Sequence, residues 1–552
     1  MSTAAVRSIN ANVLLCGLFL LVSLVVGVTF VPLWVLLGCG ILTAVVGMTL
    51  LASKRWPTVF DRLFGVRVTV RPRLWMAGFI TAGITTVLWL TSSLNLETMF
   101  FSIVVGVSAS VFITTGASAV GHRLEPVSLT LWIVTLIAGA LAGSTLAGLW
   151  TGEAGSPLFL AAFVVFFVYV WFVVPLAVYQ RYTTTDDAYS ETSLPTVSVI
   201  VPAYNEEGYV GRCIDHILAS EYPSEKLDVL VVDDGSTDGT LTEAREHAGT
   251  AARVHTRPNS GKHAALNYGL EATTGEIVII IDADSFVEPS ALARIVTSFG
   301  TDSRVGGIAS DVRVVNRQNS VSRLQTLEYV LGINTYRRAF DYFSAIPVVP
   351  GCLGAFRREA LLEVGGYDND TLTEDFDVTI KLLKAGWTIR HSSARVWTEA
   401  PYSWRDLYRQ RVRWNRGNLE VLQKHADVFA SDASRYLHRL VFPFRLGTML
   451  LAPVVAVGVT IAVGLSVLTG NLETVAGMVT YFALVGTFLA TLAIRLEGES
   501  LRLVPYAIPL VVAYPLFQAV VIAVSIAYTL SSHDRKWANV KRLAQDPVAE
   551  RV

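Results

Sequence analysis

The sequence predicts a multi-pass α-helical membrane protein that carries one α/β domain of about 250 residues in its middle. Of its 552 residues, 52% are hydrophobic, and the mean hydropathy is +0.49. Apolar runs with few charges fill roughly the first 180 and the last 110 residues, and the charged residues concentrate between them. The middle alternates strand-like and helical patterns, which is typical of a sheet covered by helices.

Apolar runs of about 20 residues, the length that crosses a bilayer, divide the beginning of the chain. We expect about six spans in an amino-terminal block at 1–180, followed by a polar linker at 181–195. The expected spans cover 11–31, 33–51, 74–92, 100–120, 127–150 and 158–179.

The charges of the segments between these spans predict their orientation. Residues 52–73 carry six lysines and arginines, whereas the segments 94–98 and 151–157 carry one glutamate each. Because basic connecting segments stay in the cytoplasm, we expect a cytoplasmic α/β domain and a chain that lies in the plasma membrane.

The central segment, 196–400, predicts a mostly parallel sheet with helices on both faces, because strand and helix patterns alternate along it. Ligands of such sheets bind beyond the carboxyl ends of the strands. The predicted strands are 196–201, 227–232 and 276–281, and the predicted helices are 210–220, 241–247, 262–270 and 289–299.

The sequence after the domain indicates a return to the membrane. Residues 401–445 mix aromatic side chains and leucine with many arginines, which is typical of amphipathic helices at a membrane surface. A carboxy-terminal block at 446–530 and a tail at 531–552 follow, and the side of the tail stays open. The three expected spans of the block are 446–468, 476–494 and 504–530, the last of which contains prolines that predict a broken or re-entrant helix.

Polar residues at the ends of the first two predicted strands form one candidate site. Asp233 and Asp234 follow a run of apolar residues, and Asn205 and Glu207 follow the first strand in the same way. Carboxylates in these positions either accept hydrogen bonds from a nucleoside or cap the helix that begins next. Since both segments face one crevice of a parallel sheet, the pair favours ligand binding.

A lysine and a pair of carboxylates extend this candidate site. Lys262 opens a predicted helix, where its ammonium and the helix amino terminus suit a diphosphate, although a solvated lysine fits the same pattern. Asp282 and Asp284 follow a strand of isoleucine and valine. Carboxylates there suit Mg²⁺ or Mn²⁺ held against phosphate oxygens, although an Asp-x-Asp spacing alone is common.

Three further segments allow a chemical and a structural interpretation. The Thr-Glu-Asp at 373–375 either caps a helix, which the residues alone favour, or supplies Asp375 as a general base. The Gln-x-x-Arg-Trp at 410–414 either anchors a helix at the membrane or places Arg413 on a diphosphate and Trp414 against a sugar ring. Cys352 lies between two nearby glycines, which predicts a close backbone approach or a buried structural thiol.

In this order the motifs resemble those of the processive family-2 membrane glycosyltransferases, the group of the poly-N-acetylglucosamine, chitin, hyaluronan and cellulose synthases. The resemblance covers about 197–420 and the helices directly after it, and it leaves the amino-terminal block outside. Within the group, 259–269 and 354–358 look most like the members that use N-acetylglucosamine. The resemblance implies a GT-A fold, inversion at the anomeric carbon and export of the polymer.

The resemblance also implies a role for each candidate residue. Asp375 would be the catalytic base, and Asp282 and Asp284 would hold Mg²⁺ or Mn²⁺. The residues implied in binding a UDP-sugar donor are Asn205, Glu207, Asp233, Asp234, Lys262, Asp282, Gln410 and Arg413. The residues implied in binding the acceptor are Cys352, Glu374 and Trp414.

The sequence therefore predicts a processive inverting β-glycosyltransferase that polymerises a UDP-sugar, best matched by UDP-N-acetylglucosamine, and extrudes the product. The alternative is transfer of one sugar to a polyprenyl phosphate or glycolipid. A non-catalytic scaffold with transporter spans requires a lost catalytic carboxylate, and none is lost. The expected partners are the UDP-sugar, a growing polysaccharide or lipid-linked acceptor, and membrane lipids. The net charge of −1 indicates nothing about partners, and no long basic tract points to nucleic acid, so no nucleic-acid partner is expected.

Overall fold

The computed structural model describes residues 173–183, 194–300, 302–430, 436–437, 441–470 and 472–531. The first five predicted spans, most of the sixth, most of the linker and nearly all of the tail therefore lie outside the described residues. The chain divides into two units. One comprises Leu176–Leu450 and Phe517–Val552, and the other comprises Met1–Pro175 and Leu451–Leu516.

The first of these units contains an eight-stranded mixed sheet. Its strands are β1 (Val197–Ala203), β2 (Leu227–Asp233), β3 (Arg253–Thr256), β4 (Ile277–Ile280), β5 (Phe286–Val287), β6 (Val305–Val314), β7 (Gly354–Arg357) and β8 (Thr388–Thr398). They lie in the order β3-β2-β1-β4-β7-β6-β8-β5. The strands β3, β2, β1 and β4 are parallel, but β7 is antiparallel to both of its neighbours and β5 is antiparallel to β8. The strands β6 and β8 are parallel as well. Four of the seven strand pairs are therefore parallel, and the prediction of a mostly parallel sheet misses only the antiparallel strands β7 and β5.

Helices connect and cover the strands. Those of the sheet-bearing region are α1 (Val174–Thr183), α2 (Val210–Leu218), α3 (Thr240–Ala248), α4 (Lys262–Ala272), α5 (Ala291–Thr297), α6 (Ser320–Tyr329), α7 (Thr335–Asp341), α8 (Arg358–Glu363), α9 (Glu374–Lys384) and α10 (Trp404–Lys424). A short π-helix, Val330–Asn334, joins α6 to α7. The three strands and four helices predicted at 196–299 are all present, and each observed end lies within two residues of its prediction.

The core of the sheet follows from its apolar strands. All residues of β1 and of β4 are buried, because these strands lie inside the sheet and are rich in valine and isoleucine. In contrast, β3 is an edge strand whose residues are exposed or half-buried. Its polar sequence carries no periodic apolar signal, which is why sequence reasoning missed it.

Helices continue beyond the sheet. They are α11 (Phe442–Leu468), α12 (Leu472–Glu497), α13 (Ala507–Val512) and α14 (Tyr514–Leu530), with a 3₁₀ segment at Leu501–Tyr506. Among the described helices, none is by itself long and apolar enough to count as a membrane span. The segments Leu501–Val512 and Tyr514–Leu530 meet that test of length and composition together, with a bend of 52° between them. The break that the prolines predict in the last segment is therefore present.

Helix α10 carries the Gln-x-x-Arg-Trp segment in the predicted interfacial region. Ser403 caps its amino terminus, since the Ser403 hydroxyl accepts a hydrogen bond from the backbone N–H of Asp406 at 3.2 Å. Trp404 is 51% exposed, and its ring lies 5.6 Å from the ring of Phe517, measured between centroids. Arg411, by contrast, is buried, so the helix turns one polar face towards the sheet-bearing domain.

Candidate active site

The carboxyl ends of β1 and β2 lie side by side, as the sequence predicts, with Ala203 paired to Asp233. Both aspartates at this edge are buried. Asp233 accepts a hydrogen bond from the Thr256 hydroxyl at 2.7 Å, and Asp234 accepts one from the backbone N–H of Gly261 at 2.7 Å. The two carboxylates therefore shape the segment that leads to Lys262.

The predicted donor residues Asn205 and Glu207 tie two neighbouring loops together. Asn205 has a left-handed backbone with φ of 55°, and its side-chain oxygen accepts a hydrogen bond from the backbone N–H of Thr237 at 2.8 Å. Glu207 accepts one from the backbone N–H of Gly239 at 2.9 Å. Both side chains thus organise the rim of the sheet edge through the 237–239 loop.

Lys262 joins three of the predicted segments at one point. Its ammonium lies 2.7 Å from a carboxylate oxygen of Asp282 and 2.9 Å from one of Glu374. Burial works against the charged lysine, but the two carboxylates outweigh it and raise its pKa well above the usual value. The lysine is therefore a permanent cation at the sheet edge.

Asp282 and Asp284 follow β4, at the position that suits a divalent cation. The side chain of Asp282 is 31% exposed and already faces one cation, the ammonium of Lys262. Asp284 accepts a hydrogen bond from the Ser285 hydroxyl at 3.3 Å. The backbone also approaches closely, since a Cβ on Gly351 would lie 2.9 Å from the Lys262 nitrogen. Two carboxylates that retain access to solvent form a hard oxygen donor set, which fits Mg²⁺ or Mn²⁺.

Asp375 lies in the first turn of α9. The capping interpretation of this segment fails for Thr373, whose buried hydroxyl has no hydrogen-bond partner in the described part of the chain. Asp375 accepts a hydrogen bond from the backbone N–H of Phe376 at 2.8 Å. Loss of solvent, and next the charge of Glu374, raise the pKa of Asp375 to about 6. Such a carboxylate is ionised at neutral pH and is more basic than an ordinary aspartate.

Arg411 organises the Gln-x-x-Arg-Trp segment, although sequence reasoning did not single it out. Its guanidinium donates hydrogen bonds to Glu328 at 2.6 Å and to Gln410 at 2.7 Å. The guanidinium carbon also lies 4.2 Å from the centre of the Trp414 ring, within range of a cation–π interaction. The only sequence signal for this role is its position inside the segment.

The predicted acceptor residues Cys352 and Trp414 both pack against the hydrophobic core. The Trp414 ring lies 6.5 Å from that of Tyr329, a member of the same core. Burial, and then the charge of Asp282, raise the pKa of Cys352 to about 12. This residue is therefore a neutral thiol and not a nucleophile.

Helix α10 is also fastened to the segment that precedes Asp375. The backbone N–H of Leu372 donates to Glu420 at 3.0 Å. Gly417 lies against Thr373 so closely that a Cβ there would be 2.7 Å from its side chain. These contacts fix the position of Asp375 on α9 relative to that of Trp414 on α10.

A second acidic group lies beside this contact. The carboxylates of Asp368, Asp370 and Asp377 are close enough to share a cation. The ammonium of Lys424 already lies between them, at 2.7 Å, 2.8 Å and 3.0 Å respectively. This cluster is therefore an ion-pair network that holds the end of α10.

The structure thus brings Lys262, Asp282 and Glu374 into direct contact, with Asp375 next in the chain and within electrostatic range of the first two. Arg413 is half-buried on the same helix as Trp414. A mixed sheet with acidic side chains at the carboxyl edge of its parallel half defines the class, a GT-A-like glycosyltransferase.

Comparison with known proteins supports this class of enzyme. Residues 195–417 match the family described as "Glycosyltransferase like family 2". This match covers the sheet-bearing domain, and the protein is a glycosyltransferase, as its motifs predict.

Two curated relatives and one solved structure agree with this assignment. "Probable glycosyltransferase YdaM" of Bacillus subtilis (strain 168) is 28% identical over 373 residues, which cover 64% of this chain and 88% of the relative. The poly-beta-1,6-N-acetyl-D-glucosamine synthase of Staphylococcus aureus (strain MSSA476) is 29% identical over 275 residues, which cover 48% of this chain and 66% of the relative. The mannosyltransferase PcManGT from Pyrobaculum calidifontis, in complex with GDP-Man and Mn²⁺, has the same fold, with a TM-score of 0.50 and 21% identity over 68% of this chain and all of that one.

Proposed function

We propose that this protein is a processive inverting β-glycosyltransferase that polymerises a UDP-sugar, UDP-N-acetylglucosamine in the first place, and passes the polysaccharide across the plasma membrane. The observation that carries the proposal is the contact of Lys262 with both Asp282 and Glu374, directly beside Asp375. The staphylococcal polysaccharide synthase among the relatives supports the choice of sugar.

The donor would bind along the carboxyl ends of β1, β2 and β4. The uridine lies near Asp233 and Asp234, and the diphosphate lies near Lys262 at the amino terminus of α4. A Mg²⁺ or Mn²⁺ ion held by Asp282 and Asp284 would neutralise charge on the diphosphate as it departs. Binding of the diphosphate draws Lys262 away from Glu374, because both anions compete for one ammonium.

The base is Asp375. Its carboxylate takes the proton of the acceptor hydroxyl while the hydroxyl oxygen bonds to the anomeric carbon and the bond from that carbon to UDP breaks. Attack from the side opposite UDP inverts the anomeric centre. The cations Lys262 and Arg413 stabilise the negative charge that gathers on UDP.

The acceptor end would lie against Trp414, near Cys352. The flat indole suits the apolar face of a pyranose. Arg411 contacts the indole through a cation–π interaction, and an ion pair with Glu328 fixes Arg411. The indole of Trp414, here called the acceptor platform, is therefore held in place before the sugar binds.

A membrane location is part of this proposal. Apolar helices follow the catalytic domain, and the bent segments Leu501–Val512 and Tyr514–Leu530 have the length and composition of one broken span. The basic segment at 52–73 supports a cytoplasmic catalytic domain, where nucleotide sugars are available.

The test is a donor panel with the purified full chain in detergent and Mn²⁺ or Mg²⁺, read out as UDP release and product size. One UDP-sugar should give a polymer, and Asp375→Asn should lower the rate at least about a thousandfold while UDP still binds. A product that is one sugar longer than its acceptor would instead assign single transfer to a lipid-linked acceptor. Absence of UDP release from every donor would overturn the proposal.

A further inference from the structure

Two arginines outside the roles assigned so far lie next to the proposed acceptor site. Arg337, on α7, is only 9% exposed, and it donates a hydrogen bond to the carbonyl of Ser310 at 3.0 Å. The Ser310 hydroxyl in turn donates to the carbonyl of Leu353 at 2.6 Å. Arg337 is thus two hydrogen bonds away from the residue that follows Cys352.

Arg445 reaches the same neighbourhood from the start of α11. Its guanidinium carbon lies 5.9 Å from the centre of the Phe376 ring, and Phe376 directly follows Asp375. The helices that carry the two arginines touch, since the rings of Tyr336 and Phe444 lie 5.6 Å apart. Each of these aromatic residues precedes one of the arginines in the chain.

Neither guanidinium group forms an ion pair with a carboxylate among the described residues, in contrast to the other cations of this region. Asp311 and Asp375 lie within electrostatic range of Arg337, but Asp311 already pairs with Arg338. Arg338 pairs with Asp311 and Arg411 pairs with Glu328, each at 2.6 Å. Arg337, in contrast, bonds a neutral carbonyl, and the buried Nε atom of Arg445 has no hydrogen-bond partner among the residues that the structure describes. A buried cation without a counter-charge costs free energy, so these two groups indicate a missing anion.

Asp375 is not that anion. It lies within electrostatic range of both arginines. A carboxylate in an ion pair with them would have a lowered pKa, whereas burial and Glu374 raise the pKa of Asp375 to about 6. The positive charge therefore remains available beside the base.

We propose that Arg337 and Arg445 form an anion subsite of the acceptor site, which receives a carboxylate or phosphate group carried by the acceptor. This inference rests on the proposed function, because it names the chemical class of the acceptor used at the same centre. A neutral sugar chain needs only the acceptor platform and the base, so two uncompensated guanidinium groups favour an acceptor with negative charge. Guanidinium groups bind carboxylate and phosphate oxygens through paired hydrogen bonds.

Such an anion has two chemical sources, a uronic acid within the sugar chain or the phosphate of a lipid carrier. The test is isothermal titration calorimetry on the full chain in detergent, saturated with UDP and Mn²⁺ so that no transfer occurs. The probes are a neutral N-acetylglucosamine tetrasaccharide, a tetrasaccharide of equal length that contains glucuronate, and a short-chain polyprenyl phosphate. An anionic probe should bind at least about tenfold more tightly than the neutral one, and the anionic probe that does so identifies the source.

Variants locate the effect. Arg337→Met and Arg445→Met should each weaken binding of the preferred anionic probe about tenfold and leave the neutral tetrasaccharide unchanged. Arg337→Lys and Arg445→Lys should retain part of the preference because they keep the charge. The matched control is Arg304→Met, since that arginine is on the surface with its side chain 76% exposed.

Equal affinity of the wild-type protein for neutral and anionic probes would overturn the subsite, and so would methionine variants that weaken both kinds of probe alike. Unchanged UDP affinity shows that a variant is folded. Where a methionine variant loses UDP binding, the lysine variants and the wild-type comparison decide. The titration measures binding without sugar transfer, so it tests the anion subsite separately from the proposed polymerase activity. A higher affinity for anionic probes can be measured even if no donor supports activity. UDP release with neutral acceptors alone would contradict only the subsite.

Discussion

Burial and the charge of Glu374 together raise the basicity of Asp375. Glu374 is the largest electrostatic cause of the raised pKa of Asp375 after burial, whereas Lys262 opposes it. Burial, followed by the charge of Glu374, therefore raises the pKa of Asp375 to about 6, which suits a base that works near neutral pH.

The pH dependence of the wild-type enzyme should reflect this value. Asp375 acts only when ionised, so kcat/KM should fall about tenfold for each pH unit below about 6. Glu374→Gln removes the neighbouring negative charge, which lowers the pKa of Asp375 and moves the acid limb of the profile to lower pH. The measurement is kcat/KM for UDP release between pH 4.5 and 8. The control is Asp302→Asn, because Asp302 is an exposed carboxylate that pairs with Arg304, and its pH profile should not move. If the acid limb of the Glu374→Gln profile stays where it is in the wild type, this account of the base is wrong.

Sequence motifs predicted some of these functional residues, but other residues could be recognised only from the fold. Lys262, Asp282 and Asp375 each stand at a strand end or helix start, where the neighbouring residues mark them. Arg411 could not be assigned in the same way, because its partner Glu328 is 83 residues away in the sequence and only the fold brings them together. The same holds for Arg445, whose Nε has no hydrogen-bond partner among the described residues, because a missing partner cannot be read from the sequence.

Helix α10 couples the acceptor platform to the base. The middle of the helix holds Trp414. The following turns contact the segment before Asp375 through Gly417, Glu420 and Lys424. A shift of α10 would therefore move the platform and the base relative to each other.

Gly417 is the sharpest test of this coupling. A methyl group at that position would lie 2.7 Å from the side chain of Thr373 and 2.9 Å from its backbone nitrogen, so Gly417→Ala forces the two helices apart. We expect kcat to fall about tenfold to a hundredfold while the donor KM changes little, because the donor contacts of Lys262 and Asp233 are on other elements. The measurement is steady-state UDP release.

Gly447→Ala is the matched control, since α11 leaves open space around that glycine. Its kcat should stay within about twofold of wild type. A Gly417→Ala enzyme with normal kcat, or one whose loss lies entirely in the donor KM, would show that α10 does not position the base.

The parts of the sheet that the sequence did not predict have a common cause. The strands β6 and β8 bury polar residues such as Asp311, Arg313 and His391, which interrupt the apolar pattern. Asp311 pairs with Arg338 and His391, which are distant in sequence, so no local window identifies the strands. In contrast, β1, β2 and β4 have continuous apolar runs, and their prediction was correct to within two residues.

The same buried charges join the helix before the domain to the middle of the sheet. Asp311, on β6, lies 2.6 Å from Arg338 and 2.8 Å from His391. Gln180, on α1, accepts a hydrogen bond from Arg338 at 3.2 Å and lies 3.3 Å from the His391 ring nitrogen. The segment that leads into the catalytic domain is thus fixed to a charge network within it.

Two ion pairs of equal length allow the effect of burial on stability to be measured. Asp311–Arg338 and Asp228–Arg253 are both 2.6 Å long, but the first is buried and the second is exposed. Asp311→Asn leaves buried cations without their counter-charge, so we expect it to lower the free energy of unfolding by about 3–5 kcal/mol. Asp228→Asn should cost less than about 1 kcal/mol, because water screens the exposed pair. Denaturation midpoints of the two variants, measured side by side in detergent, check this difference, and equal midpoints would contradict it.

The pH dependence of stability gives an independent test of the same network. Burial raises the pKa of Asp311, but Arg338 and His391 outweigh it and hold the pKa far below its usual range. A carboxylate with a lowered pKa in the folded state stabilises the fold above its unfolded pKa of about 3.9, and this contribution is lost as the pH falls below that value. The denaturation midpoint of the wild-type protein should therefore fall more steeply than that of Asp311→Asn between pH 4 and pH 2, since the variant has already lost the contribution. Parallel curves for the two proteins would mean that Asp311 is not an ionised partner of Arg338, and that α1 is held to the domain by neutral hydrogen bonds alone.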